Sequence, residues 1–235
     1  MADDEKRYRE YLANELKGDD TFQFECSMCG SCCRRRAEPI VITGPDLFRI
    51  AKTLNISPLE AAQEYTDWTI GVNSHMPVLT LRERLDGSCR LLRNGRCTVH
   101  QNKPSVCALF PLGRMYNPEE KRFIYFKNTF CSSSKKGPEV KNWTLDEWLD
   151  EFRLRETEDD VRVWNRMITS LVRVTAGIDR AKIDGILLRV LFGACYFQYD
   201  TVTPYAPQVE AHMELLKGVL PEMAAIPPKL RLFED

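Results

Sequence analysis

The sequence predicts an α+β fold. A small, irregular, cysteine-rich core of short strands and helices occupies residues 20–155, and a mainly α-helical region, residues 156–235, packs on it. Three observations predict this. Eight of the nine cysteines fall between residues 26 and 131, and only Cys195 lies beyond them. The turn dipeptides Asp86-Gly87 and Asn94-Gly95 cut residues 78–100 into short segments. After Thr144, apolar residues recur at helical spacing with few interruptions.

In chain order, Tyr8, Leu12 and Leu16 stand at helical spacing within residues 5–17, and Gly18 is placed as a stop, so a lead-in helix is expected. Phe22 and Phe24 alternate with polar neighbours ahead of the cysteine run at 26–33, and the β-branched stretch 39–43 follows it. Thr43-x-x-Asp46 reads as a capping box opening a helix with Leu47, Ile50, Ala51 and Leu54 on its buried face. Ser57-Pro58-x-Glu60 repeats the signal for a second helix, expected to run to about Trp68. Pro104 can start one helical turn carrying Cys107, and Pro111 stops it. A strand at Arg122–Phe126 leads to Cys131 and a loop over 132–137. Thr144-x-x-Glu147 caps a helix with Leu145, Trp148, Leu149 and Phe152 on its apolar side. Helical patterns at Val161–Val174, Ile183–Cys195 and about Pro207–Leu220 complete the chain.

At 235 residues the chain can bury a sizeable core, and a formal charge of −1 excludes a global pull toward nucleic acid or an anionic membrane. No stretch approaches the roughly 20 apolar residues that cross a bilayer. Residues 1–8 are acidic and charged, without the basic and apolar parts of a secretory signal, so the expectation is a soluble cytoplasmic protein. Thiols there are held reduced, which points to metal or redox chemistry rather than a disulfide scaffold. Adjacent α-carbons lie about 3.8 Å apart, short of the roughly 4.4 to 6.8 Å a disulfide spans, so Cys32 and Cys33 do not pair with each other.

The clustered cysteines run Cys26-x2-Cys29-x2-Cys32-Cys33, then Cys89-x7-Cys97-x9-Cys107, then Cys131. Two-residue gaps let successive thiolates converge on one metal ion or cluster, as in zinc ribbons and iron–sulfur proteins. Eight thiolates suit two four-thiolate sites, and bridging sulfurs or an incomplete site would use the same inventory differently. Cys32 and Cys33 are expected to point apart, to different metals or different corners of a cluster. If Asn94-Gly95 is a two-residue turn, Arg93 faces Arg96, Leu92 faces Cys97 and Cys89 faces His100, with β-carbons about 5 Å apart. Strand alternation then sends Cys89 and Cys97 to opposite faces unless a bulge rotates one, and His100 becomes a candidate neighbour of Cys89. Arg34, Arg35 and Arg36 could bond or offset thiolate sulfur, contact a phosphate, or form a solvated basic run. Cys195 lies in an apolar helical pattern and reads as a buried hydrophobe, while His75 and His212 have no partners at ligand spacing.

Phe24-x-Cys26-x2-Cys29-Gly30-x-Cys32-Cys33, the Asp46 helix with Arg49-Ile50-Ala51, then Gly95-x-Cys97, Pro104-x2-Cys107 and Phe110-Pro111 resemble the YkgJ family of cysteine-cluster proteins over roughly residues 22–150. The resemblance implies a zinc- or iron-chelating domain whose metal ligands are Cys26, Cys29, Cys32, Cys33, Cys89, Cys97, Cys107 and Cys131. A related domain occurs in flagellin lysine methylases associated with an iron–sulfur cluster, which makes iron–sulfur plausible here without implying a methylase. This chain departs from the pattern at His100 and Lys103-Pro104, where the family has Tyr and Arg-Pro, and at Ser132-Ser133, where it often continues Pro-Gly.

The expected function is therefore an iron–sulfur protein serving electron transfer or an associated modifying reaction, with a redox or protein partner. The alternative is a Zn2+ module that presents a partner surface. Neither a membrane nor a nucleic acid is an evident partner. A self-sufficient enzyme has the least support, since the chain lacks a Gly-x-Gly-x-x-Gly loop, a Walker loop and a His-Glu-x-x-His helix.

Overall fold

Thr43 shows how closely local sequence sets the elements. In the computed structural model its hydroxyl accepts from the Asp46 N–H while Asp46 accepts from the Thr43 backbone, and Pro45 fills the first turn, so the short strand β2 (Val41–Ile42) passes directly into helix α2 (Gly44–Leu54). The same reciprocal cap at Ser57 and Glu60 starts α3 (Pro58–Tyr65), and at Thr144 and Glu147 it starts α5 (Leu145–Glu151). The structure describes all residues except 1, 28, 35–38, 73, 118–119, 128–134, 136, 138, 177, 179–184 and 225–235. Cys131, Arg35, Arg36, Ser132 and Ser133 thus lie outside the described residues.

The protein is a mixed α+β fold of helices and small antiparallel sheets. Strand β1 (Thr21–Gln23) pairs with β9 (Asn142–Thr144). Strand β4 (Pro77–Leu81) lies between β2 and β3 (Thr66–Ile70). Two hairpins follow, β5 (Leu92–Arg93) with β6 (Arg96–Cys97), and β7 (Leu112–Asn117) with β8 (Arg122–Lys127). The helices not yet named are α1 (Ala2–Ala13), α4 (Ser105–Leu109), α6 (Glu158–Thr175), α7 (Gly185–Phe192), which runs into a π-helical turn at Gly193–Phe197, and α8 (Tyr205–Ala224).

Two helix ends and one strand differ from the sequence expectation. The lead-in helix stops at Ala13, because the edge of β8 offers its backbone: the Leu16 N–H donates to the Tyr125 carbonyl at 2.7 Å, and Leu16 is buried there outside any helix. Helix α3 ends at Tyr65 rather than near Trp68. Residues Thr66–Ile70, rich in β-branched and aromatic side chains, pair with β4 in the register Trp68↔Leu79. Strand β7 was not anticipated at all; its glycine, Gly113, lets the Phe126 ring of β8 lie against the backbone where a β-carbon would sit 2.3 Å from the ring.

Two apolar cores result. The larger joins α2, α3 and the three-stranded sheet to α6, α7 and α8, with Ile42, Leu47, Ile50, Met167, Leu171 and Leu191 fully buried. The residues of α6–α8 therefore share one core with Cys89, Leu91 and Leu92. Helix α2 is seated closely against this region, since a β-carbon on Gly44 would lie 2.4 Å from the Cys195 carbonyl oxygen and from Tyr205 Oη. The smaller core gathers Phe22, Phe24, Leu109, Leu112, Trp148 and Leu154. No helix among the described residues is long and apolar enough to cross a membrane.

Candidate metal centre

The cysteine segments meet where these two cores adjoin. Phe24 anchors the approach to Cys26. Its N–H donates to the Lys141 carbonyl at 3.2 Å, its carbonyl accepts from Trp143 Nε1 at 2.9 Å, and its ring meets Trp148 edge-on at 5.6 Å. Gly30 then adopts a left-handed φ of 70°, which turns the chain from Cys29 into a single 3-10 turn, Ser31–Cys33. A β-carbon at Gly30 would sit 2.6 Å from Arg34 Nη1. That guanidinium closes the turn by donating to the Cys29 carbonyl at 3.2 Å. Arg34 therefore serves the backbone in this contact, where sequence offered it a sulfur, a phosphate or solvent. Ser31 also turns back on Cys29, with its Oγ 3.1 Å from the Cys29 sulfur.

The 3-10 turn overrides the expected divergence of the vicinal pair. Successive side chains in such a turn are rotated by about a third of a revolution rather than alternating as in a strand, and the Cys32 and Cys33 sulfurs lie 3.9 Å apart. Two thiolates on one tetrahedral metal, at a metal–sulfur distance of about 2.3 Å, stand about 3.8 Å apart by geometry. The pair thus has the spacing of two ligands of one ion.

Cys89 is brought in laterally. Arg34 bridges Ser88, and the Cys89 N–H donates to the Cys33 carbonyl at 2.7 Å. Arg84 holds the loop from the other side by donating to the Cys89 carbonyl at 2.6 Å and the Arg90 carbonyl at 2.7 Å. The hairpin that follows has the expected register, Leu92↔Cys97 and Arg93↔Arg96, across Asn94 and Gly95, both at positive φ. The ladder is only two pairs long, however. The Leu92 N–H turns back to the Cys89 carbonyl, and His100 begins a 3-10 turn, His100–Asn102. Cys89 consequently bridges Glu83 and bonds Cys33 rather than facing His100. Alternation does not extend to it, and Cys89 and Cys97 lie in each other's electrostatic field. The half-buried His100 packs edge-on against the Phe152 ring at 5.9 Å, His75 Nδ1 lies 3.1 Å from the Thr175 carbonyl oxygen, and His212 packs against Tyr199.

Cys107 arrives on α4, which is held at both ends. At its start, buried Asp46 accepts from the Ser105 N–H at 2.8 Å, from the Ser105 hydroxyl at 2.7 Å and from Arg49 Nη2 at 2.8 Å; Arg49 in turn donates to the Lys103 carbonyl at 3.3 Å. Burial opposes the charge on Asp46, but Arg49 and the hydrogen bonds from Thr43 and Ser105 outweigh it and lower its pKa below the usual carboxylate range. At the end of α4, Trp148 Nε1 donates to the Leu109 carbonyl at 3.0 Å. Asp46 is thus both the cap of α2 and the tether of the Cys107 turn, a role its capping-box position did not reveal.

The thiols respond to one another. Cys33 is pushed far up by its contact with Cys32, by burial and by the fields of Cys32, Cys89 and Cys107. Burial, with Cys89 among the other contributors, raises Cys107 to about 12, and burial chiefly raises Cys97. Lys103 is lowered by burial against the opposing pull of Cys107, Cys26, Cys32 and Cys97. Ionising such a cluster is costly without a cation, and a bound metal supplies one, so the donor set fits a thiophilic metal. The gathering draws on Cys26, Cys32, Cys33, Cys89, Cys97 and Cys107; Cys29 is exposed in the same turn. Cys33, Cys89, Cys97, Cys107 and Cys195 are free thiols. Among the described residues no three His, Cys, Asp or Glu side chains are already closed around one point. Cys195 is fully buried, its thiol raised by burial, as a core residue would be.

Residues 25–132 match the CxxCxxCC family model, described as a "putative zinc- or iron-chelating domain". No curated protein and no solved structure matches the chain.

Proposed function

From the match of residues 25–132 to the CxxCxxCC family model we propose that the protein holds an iron–sulfur centre on the thiolates of Cys26, Cys29, Cys32, Cys33, Cys89, Cys97, Cys107 and Cys131, used for electron transfer in the cytoplasm. One observation carries the reading. Separate segments, the 26–33 turn, the loop at Cys89, the hairpin at Cys97 and the helix at Cys107, deliver cysteine side chains to one electrostatic neighbourhood between two apolar cores. That neighbourhood is asymmetric. Cys89 is buried while Cys26, Cys29 and Cys32 are exposed, so a centre held there has a protein-lined base and a face open to a redox partner. When bound, the cluster supplies a one-electron couple. The chain supplies the ligands, the turn at Gly30 that lets them converge, and the Arg84 and Asp46 tethers that hold Cys89 and Cys107 in place.

A second reading is a Zn2+ site whose binding energy is folding energy; the 3.9 Å separation of the Cys32 and Cys33 sulfurs fits two ligands of a single tetrahedral ion, zinc or iron alike. Anaerobic purification followed by metal and acid-labile sulfide analysis and a visible spectrum separates the two. The iron–sulfur reading expects a brown protein containing iron and sulfide; a colourless protein with stoichiometric zinc contradicts it.

A further inference from the structure

Helix α2 and the start of α6 border a cavity of about 460 Å3, within the usual range for a small-molecule site. Phe48 and Phe152 give it apolar walls. Arg49 and Lys52, about one helical turn apart on α2, line one side together with Asn102 from the turn before α4. Arg153, Glu156, Thr157 and Asp160 line the other. Both acids are already engaged: Arg153 Nε donates to Glu156 Oε2 at 2.8 Å, and Asp160 accepts from the Ala206 N–H. Two of the cations have donors to spare. Arg49, with its side chain 12 % exposed, commits Nη2 to Asp46, Lys103 and Ser105. Its Nη1, however, reaches Thr157 Oγ1 only at 3.4 Å, longer than an ordinary N–H···O bond, and its buried Nε has no partner. Lys52 forms no ion pair among the described residues.

We propose that this cavity binds a small oxyanion, the phosphate or carboxylate group of a ligand, on Arg49 and Lys52, with the rest of the ligand against Phe48 and Phe152. The inference is independent of the metal reading. A buried N–H without an acceptor is a cost that native structures rarely carry unless an ion, ligand or water supplies one. Neighbouring Arg and Lys side chains take phosphate and carboxylate oxygens through charge-assisted bonds, and the Asn102 amide adds a neutral donor. A cation is the poorer occupant, because it would meet Arg49 and Lys52 and find only carboxylates that already have partners. Arg49 also bonds the Lys103 carbonyl and Ser105, so the site adjoins the turn that carries Cys107 while no cysteine lines it.

The test uses the full-length, anaerobically purified protein, with inorganic phosphate and succinate as probes and chloride at matched ionic strength as the blank, read by titration calorimetry. Wild type is expected to bind at least one probe saturably, with a millimolar or lower dissociation constant. The tighter probe tells a phosphate ligand from a carboxylate one. Lys52 is exposed, so Lys52→Met is expected to weaken that binding about 2- to 5-fold without disturbing the fold. Arg162→Met removes an equal charge from an exposed position of α6 outside the cavity and is expected to leave binding unchanged. Asp160→Asn takes a negative charge out of the lining, keeps an acceptor for the Ala206 N–H, and is expected to bind several-fold more tightly. Arg49 is left intact because it tethers the Cys107 turn. Absence of saturable binding by wild type, a Lys52→Met variant that binds no more weakly than Arg162→Met, or unchanged or weaker binding in Asp160→Asn overturns the proposal.

Discussion

Asp46→Ala is expected to lower unfolding free energy by about 3–5 kcal/mol, the range for breaking a buried ion pair from one side. Asp46 is 1 % exposed and accepts from Thr43, Ser105 and Arg49, so its loss leaves the Arg49 guanidinium without its carboxylate and the Ser105 N–H and hydroxyl without an acceptor. It also removes the cap of α2. The consequence reaches the metal centre, because Ser105 begins the turn that carries Cys107. Urea unfolding of the metal-free protein measures the stability, and metal content measures the reach; a change below about 1 kcal/mol contradicts the reading. The pH dependence has a defined sign. A carboxylate with a lowered folded pKa contributes stability that is fully present above the unfolded value, about 4, and that is lost as pH falls through the folded value. Asp46→Asn lacks that acid-sensitive contribution, so its stability deficit shrinks on acidification.

Stripping the metal is expected to cost a comparable amount. Binding confined to the folded state adds about 4 kcal/mol when free metal is a thousand times its dissociation constant, equivalent to about 10 °C in melting temperature for a chain of this size. The thiols come from segments as far apart as Cys26 and Cys107, and the metal would tie together the 26–33 turn, the Cys89 loop, the β5–β6 hairpin and α4. Calorimetry with and without a chelator, both under reducing anaerobic conditions, checks this; coincident melting curves contradict it.

Much of the local structure was legible in the sequence because it is set by neighbours in the chain. The reciprocal caps at Thr43, Ser57 and Thr144 are present, and the Asn94-Gly95 turn gives the expected pairing of Leu92 with Cys97. Failures occurred where a distant partner decided. Leu16 left its helix for the backbone of Tyr125, Thr66–Ile70 became a strand because β4 was available, and β7 formed against β8. In the candidate site, the cysteine spacing did not fix how the residues face one another. The 3-10 turn brought the Cys32 and Cys33 sulfurs together, and the short ladder turned Cys89 to Cys33 rather than to His100. Arg49 stands in the quoted Asp46 helix motif, but its bonds to Lys103 and Ser105 reach a segment more than fifty residues away, and nothing in the sequence signalled the contacts made by Arg84 and Ser105.

The central claim is that these cysteines form one metal centre through sulfur. X-ray absorption at the metal edge of anaerobically purified protein tests it most directly, because it reads the atoms around the metal whether that metal is iron or zinc. The account predicts a sulfur-only first shell at about 2.3 Å, losing sulfur scatterers or the metal itself in Cys107→Ser. A first shell of nitrogen or oxygen, or one unchanged by that substitution, would contradict it.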